Sequence, residues 1–123
     1  MFATALLVIS ALVFSSIGVY FLAMPDRAAA SIGMKLTDDN ARTDVRATYG
    51  GMVLGIALVF GLSAVKSTML TSGLLTLVLV YGCMALGRGL ALITGDRPEA
   101  QMKLFLGIEI VFVIAGAFVL IQI

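Results

Sequence analysis

The sequence predicts an all-α fold: an integral membrane, antiparallel four-helix bundle. Three observations carry that prediction. Of the 123 residues, 61% are hydrophobic and 12% charged, about half the charged fraction of roughly 25% usual in soluble domains. The mean hydropathy of +1.13 leaves too little polar surface to cover even one small soluble core. The apolar residues also fall into four long blocks joined by short polar turns. A spanning helix needs about 20 apolar residues, so the chain has room for at most four or five crossings and no separate soluble domain. It reads as a single domain, 1–123, with spans at about 2–24, 40–65, 69–93 and 99–122.

The first block, Met1 to Met24, holds no charged side chain. A signal peptide has an apolar stretch of only about 7–15 residues behind a basic segment. No Lys or Arg precedes this run, so it reads as a retained helix, with a cleaved signal as the lesser alternative. Pro25 ends it. From Met24 to Gly33 the expectation is a short interfacial helix, with Pro25 at its first position, Asp26 in its first turn and Gly33 closing it. An irregular loop is the alternative.

The second helix is expected to start near Asp38, with Thr37 as its cap and Asp38 and Asp39 in the first turn. It continues through Gly50-Gly51 to about Val65, and the tight turn Lys66-Ser67-Thr68 follows. The third runs from about Met69 to Ile93. In the next turn, Asp96 with Glu99 three residues on reads as a capping-box-like start to the fourth helix, with Pro98 in its first turn. Connections this short make consecutive helices antiparallel neighbours.

With four crossings, Arg27, Lys35, Arg42, Arg46, Arg88, Arg97 and Lys103 lie toward one side of the membrane and Lys66 toward the other. The positive-inside rule makes the basic side cytoplasmic and sends both termini outward.

Composition excludes several chemistries. There is no histidine and one cysteine, so His-based triads, His-ligated haem and Cys/His zinc sites lack their residues. A net charge of +1 offers no basic patch for nucleic acid. Cys83 is expected to be a small buried apolar residue, and the scattered methionines are expected to fill space rather than bind metal. No metal, cofactor or catalytic residue is assigned.

The candidate chemistry lies in charges that fall inside apolar stretches. Glu109 stands about 16 Å along the fourth helix, near the bilayer midplane. An isolated carboxylate there costs several kcal/mol unless it is protonated, paired or wetted. Arg88 is about 10 Å deep from the same side on the adjacent helix. This predicts a buried Arg88–Glu109 ion pair, and a guanidinium can hold a carboxylate by two parallel hydrogen bonds. Arg42, Arg46 and Tyr49 follow spacings of four and three and share one face of the second helix, with Asp38 placed to pair with Arg42. Arg46, Tyr49, Arg88 and Glu109 are thus expected as a buried cluster in the cytoplasmic half, a candidate ligand-binding site.

Each feature has a structural alternative. Arg88–Glu109 can be a pair that only fixes helix register. Arg42 and Arg46 can be interfacial anchors whose head groups reach back to the surface. Gly51-x-x-x-Gly55 is expected to pack the second helix inside the bundle.

Arg42-x-Asp44-x-Arg46-Ala47-x-Tyr49-Gly50-Gly51, Gly87-Arg88 and Glu109 together resemble a bacterial family of small four-helix membrane proteins catalogued only as a domain of unknown function. The resemblance covers nearly the whole chain, and the Asp-x-Arg-Ala-x-Tyr-Gly-Gly run is its most specific part. It implies a four-helix bundle in a bacterial cytoplasmic membrane and supplies no substrate, cofactor or reaction.

Three functions remain open. The first is an accessory or scaffold subunit that packs against another membrane subunit or against itself as a homo-oligomer. The alternative is a binding or transport module in which the Arg/Tyr/Glu cluster holds a lipid or small anionic amphiphile, or relays protons. A membrane enzyme is the least favoured, because no nucleophile–base pair, metal cluster or phosphate loop is visible.

Overall fold

In a computed structural model, which describes residues 1–123, the chain is helical with no strand. Its elements are α1 (Phe2–Ala23), α2 (Pro25–Ser31), α3 (Asp39–Val45), a π-helical segment (Arg46–Met52), α4 (Val53–Val65), a 3-10 turn (Ser67–Met69), α5 (Leu70–Ile93) and α6 (Ala100–Gln122). Four helical stretches are long and apolar enough to cross a membrane: Phe2–Ala23, Asp39–Val65, Ser67–Ile93 and Ala100–Gln122. Side chains such as Leu12, Leu58, Leu79, Leu86, Val111 and Ile114 are exposed along them. Lipid tolerates such surfaces and water does not, while helices satisfy their own backbone. The four helices mark the chain as an integral membrane protein.

Contacts divide the chain into two units, Val8–Leu62 and Met1–Leu7 with Ser63–Ile123. In the Val8–Leu62 unit, α1 and the second span run in opposite directions. Phe14 meets the edge of Phe60, with ring centroids 5.5 Å apart, and Phe21 stacks on Tyr49 at 5.2 Å. Between these pairs the backbones approach closely: a Cβ on Gly18 would stand 3.0 Å from the Gly50 carbonyl oxygen and the Leu54 nitrogen. By contrast, a Cβ on Gly55 would face open space and one on Gly51 would meet only the Arg46 carbonyl oxygen at 3.9 Å, so the expected Gly-x-x-x-Gly packing is replaced by Gly18 against Gly50.

Within the segment from Met24 to Gly33, α2 spans Pro25–Ser31 and is closed by a Schellman motif. Gly33 adopts φ 79°, its N–H donates to the Ala30 carbonyl, and the Met34 N–H donates to Ala29. Ala28 and Ala29 sit with Phe21 and Val45 in a small core against which Met34 packs.

The second span departs from expectation at three points. Asp38, not Thr37, is its cap: the Asp38 side chain accepts from the Ala41 N–H at 2.8 Å. Asp38 therefore does not pair with Arg42, which instead bonds Asp26 at 3.0 Å and Asp39 at 2.6 Å. The helix also widens to π geometry over Arg46–Met52. A π turn inside an α-helix is uncommon and often sits at functional positions.

In the Met1–Leu7 and Ser63–Ile123 unit, α5 and α6 form an antiparallel pair. Gly116 lies against Leu77 and Val78, Tyr81 stacks on Phe112 at 4.9 Å, and Gly82 faces Val113. The connection differs from the expected capping box. Gly95, with φ 100°, and the Asp96 N–H, donating to the Ala91 carbonyl, complete the C-terminal end of α5. Helix α6 starts at Ala100, after Glu99, whose side chain makes no capping bond, so Asp96 and Pro98 lie outside it. Cys83 is exposed rather than buried.

Candidate functional site

The buried charge is where the sequence placed it. Glu109 is 3% exposed. Arg88 reaches it from α5, and its Nε donates to Glu109 Oε1 at 2.8 Å. The two parallel bonds expected are not made: one bond forms, and Glu109 Oε2 is buried without a partner.

The helix periodicity explains how α6 holds the guanidinium. Met102, Phe105 and Glu109 are spaced by three and four and share a face. All three address Arg88: Nη1 donates to Met102 Sδ at 3.2 Å, and the guanidinium carbon lies 5.5 Å from the Phe105 ring centroid. The thioether and the ring face steady the cation, and the ring supplies an electrostatic attraction. Met102 is thus a contact of the charged site and not mere filler. The i, i+3, i+7 spacing before Glu109 was the signal that could have identified Met102 and Phe105.

Beside the pair, an open cleft of about 370 Å³ lies where α5 has ended and α6 has just begun. Its charged lining is Arg88, Arg97, Lys103 and Asp96, three cations to one carboxylate. The rest is apolar: Ala91, Leu92, Pro98, Met102 and Leu106. The cleft exists because the chain from Asp96 to Glu99 is not helical, which leaves a wedge between the two helix ends. The sequence marks Arg97 and Lys103 only as members of the basic side. Their part in the cleft depends on the turn geometry.

Arg46 and Tyr49 belong to the other unit and are exposed, not buried as expected. Arg46 Nε donates to the Leu22 carbonyl at 3.2 Å. Pro25 has no N–H to offer back into the last turn of α1, and Arg46 supplies a donor at this end, where positive charge is favoured. Tyr49, in the π-helical segment, stacks on Phe21.

Arg88 therefore has Nε committed to Glu109 and one bond from Nη1 to a weak sulfur acceptor. A guanidinium carries five N–H donors, so donors remain for an oxyanion entering the cleft. No three His, Cys, Asp or Glu residues come together to hold a metal ion.

The family model described as Domain of unknown function (DUF4345) matches residues 2–120. The chain belongs to this family. The match takes in Arg46, Tyr49, Arg88, Glu109 and the cleft together. No curated protein and no solved structure matches the chain. The family description names no ligand.

Proposed function

We propose that the chain is a membrane-embedded binding module that holds the headgroup of an anionic amphiphile in the cleft at the ends of α5 and α6. The observation that carries this reading is the cleft itself: Arg88, Arg97 and Lys103 converge there with one carboxylate, Asp96, on an otherwise apolar lining. Its volume of about 370 Å³ lies in the range of small-molecule sites, roughly 300–1,000 Å³. Cations over an apolar floor suit an anionic head on a hydrocarbon chain. The surplus of basic residues supports placing the cleft on the cytoplasmic side, with both termini outward. On this reading Arg46 and Tyr49 support the π-helical segment, and ligand contact belongs to Arg88, Arg97 and Lys103.

The test is calorimetric titration of the full chain in phosphatidylcholine nanodiscs with 1-octanesulfonate, with octanol and empty discs as controls. Saturable binding is expected for the sulfonate alone. Arg88→Met weakens it about tenfold or more, the equivalent of one hydrogen bond to a charged group at roughly 1.5–3 kcal/mol. Sulfonate uptake no greater than in empty discs overturns the reading.

A second reading, an accessory subunit that packs against another membrane protein or a second copy, draws on α6. Only 11% of its most apolar stretch is buried, the least of the four spans. Leu104, Ile108, Val111, Ile114 and Phe118 are exposed along it, and Gly107 opens a shallow groove there. This reading expects a fixed oligomer or a co-purifying partner, and a strictly monomeric chain in lipid counts against it.

A further inference from the structure

We infer that an anion entering the cleft takes Arg88 from Glu109, and that Glu109 then accepts a proton, so that anion and proton are bound together. The inference rests on the binding role proposed above and deepens it by specifying what is bound.

Three features of the pair lead to it. It is held by one hydrogen bond, Arg88 Nε to Glu109 Oε1, where a guanidinium and a carboxylate can make two. The second carboxylate oxygen is buried with no partner. The two side chains are also unequally accessible: Arg88 is 29% exposed and lines the cleft, whereas Glu109 is 4% exposed and does not. An incoming oxyanion can reach the arginine and cannot reach the buried carboxylate behind it.

Charge accounting then fixes the consequence. Before binding, one guanidinium and one carboxylate sum to zero. An added monoanion makes the centre net negative, with the carboxylate the more buried member. An uncompensated buried charge is strongly unfavourable. One proton from water on Glu109 restores neutrality. The Nε–H···Oε1 bond breaks, a ligand oxygen takes the donor, and the guanidinium stays protonated throughout. The neighbouring charged groups do not substitute for that proton. Arg97, Lys103 and Asp96 line the cleft but are exposed, so solvent and salt screen them. Arg97 and Lys103 draw an anion in without neutralising the buried oxygen. On α5, Tyr81 is engaged with Phe112.

The experiment uses the full chain in phosphatidylcholine nanodiscs and 1-octanesulfonate, whose own charge does not titrate. Calorimetry at one pH in two buffers of different ionisation enthalpy counts the protons taken up. Close to one proton per anion is expected, with affinity falling about tenfold per pH unit as pH rises, the limit for one linked proton. Glu109→Gln should bind with no proton uptake and no pH dependence. If that variant does not fold, the wild-type buffer pair decides alone. Saturable binding without proton uptake overturns the inference and leaves the binding module standing. No saturable binding overturns both. Methanesulfonate separates the sources of the anion: binding as tight as octanesulfonate overturns the amphiphile assignment.

Discussion

Breaking the Arg88–Glu109 pair from one side should destabilise the protein far more than removing both charges. The geometry sets the magnitude. Glu109 is 3% exposed and the pair closes at 2.8 Å. Two unit charges about 4 Å apart attract by about 4 kcal/mol at an effective dielectric of about 20. Removing one partner of a buried pair costs about 3–5 kcal/mol, because the other is left uncompensated. Arg88 is 29% exposed on its side chain, which lets some water reach the pair and puts Arg88→Met near the lower end, about 3 kcal/mol. Arg88→Met with Glu109→Leu leaves no charge behind, and apolar replacements of a buried pair are often neutral. The double variant should lie within about 1 kcal/mol of the parent, since well-packed apolar substitutions are tolerated to about that degree. The assay is unfolding in mixed micelles as the fraction of dodecyl sulfate rises, followed by far-UV circular dichroism, with all four proteins forming a double-mutant cycle. A loss in the double variant equal to the sum of the singles refutes the argument. So does an Arg88→Met protein as stable as the parent.

Two further predictions concern packing and helix ends. A Cβ at Gly73 would run into Ser63 on the neighbouring helix, so Gly73→Ala should cost about 1–3 kcal/mol in the same assay as an overpacked contact. Adding Ser63→Gly moves the Cβ from one helix to the other and should recover most of the loss; no recovery would mean that the contact is not what limits the approach. Arg46→Met should cost about 1 kcal/mol through loss of the hydrogen bond to the Leu22 carbonyl. Arg46→Lys should not restore it, because the donor is the guanidinium Nε. Full restoration by lysine would show that Arg46 acts through its charge alone.

The spans and the Arg88–Glu109 pair were legible in the sequence for a simple physical reason. Length and hydropathy define a crossing, and a short turn makes its two helices neighbours, so depth along each helix tells which charges can meet. The details failed where two local solutions compete. Thr37 and Asp38 are both good caps one residue apart, and only the geometry selects Asp38. Asp96 and Glu99 carry a capping pattern, yet the chain after Ala91 is spent on closing α5 through Gly95. The π turn has no signature beyond Gly50-Gly51, which weakens the α-helix. Within it, Gly50 lies against Leu22 on α1.

Which face of each span points inward was hidden for a deeper reason. A soluble helix shows its inner face as an apolar stripe, whereas lipid is as apolar as any core and removes that contrast. Only groups that lipid cannot accommodate, or gaps that a neighbour must fill, then mark the inside. Glu109 is such a group, and Gly73 and Gly116 are such gaps: all three are buried. A glycine alone is insufficient, because Gly55, Gly87, Gly89 and Gly107 face open space. Gly87 and Gly89 flank Arg88, the one charged side chain on α5, and both lack a neighbour within contact. The arginine therefore leaves the helix where little side-chain bulk surrounds it. It can turn one edge to Glu109 while another stays accessible from the cleft, the arrangement that partner exchange at this site requires.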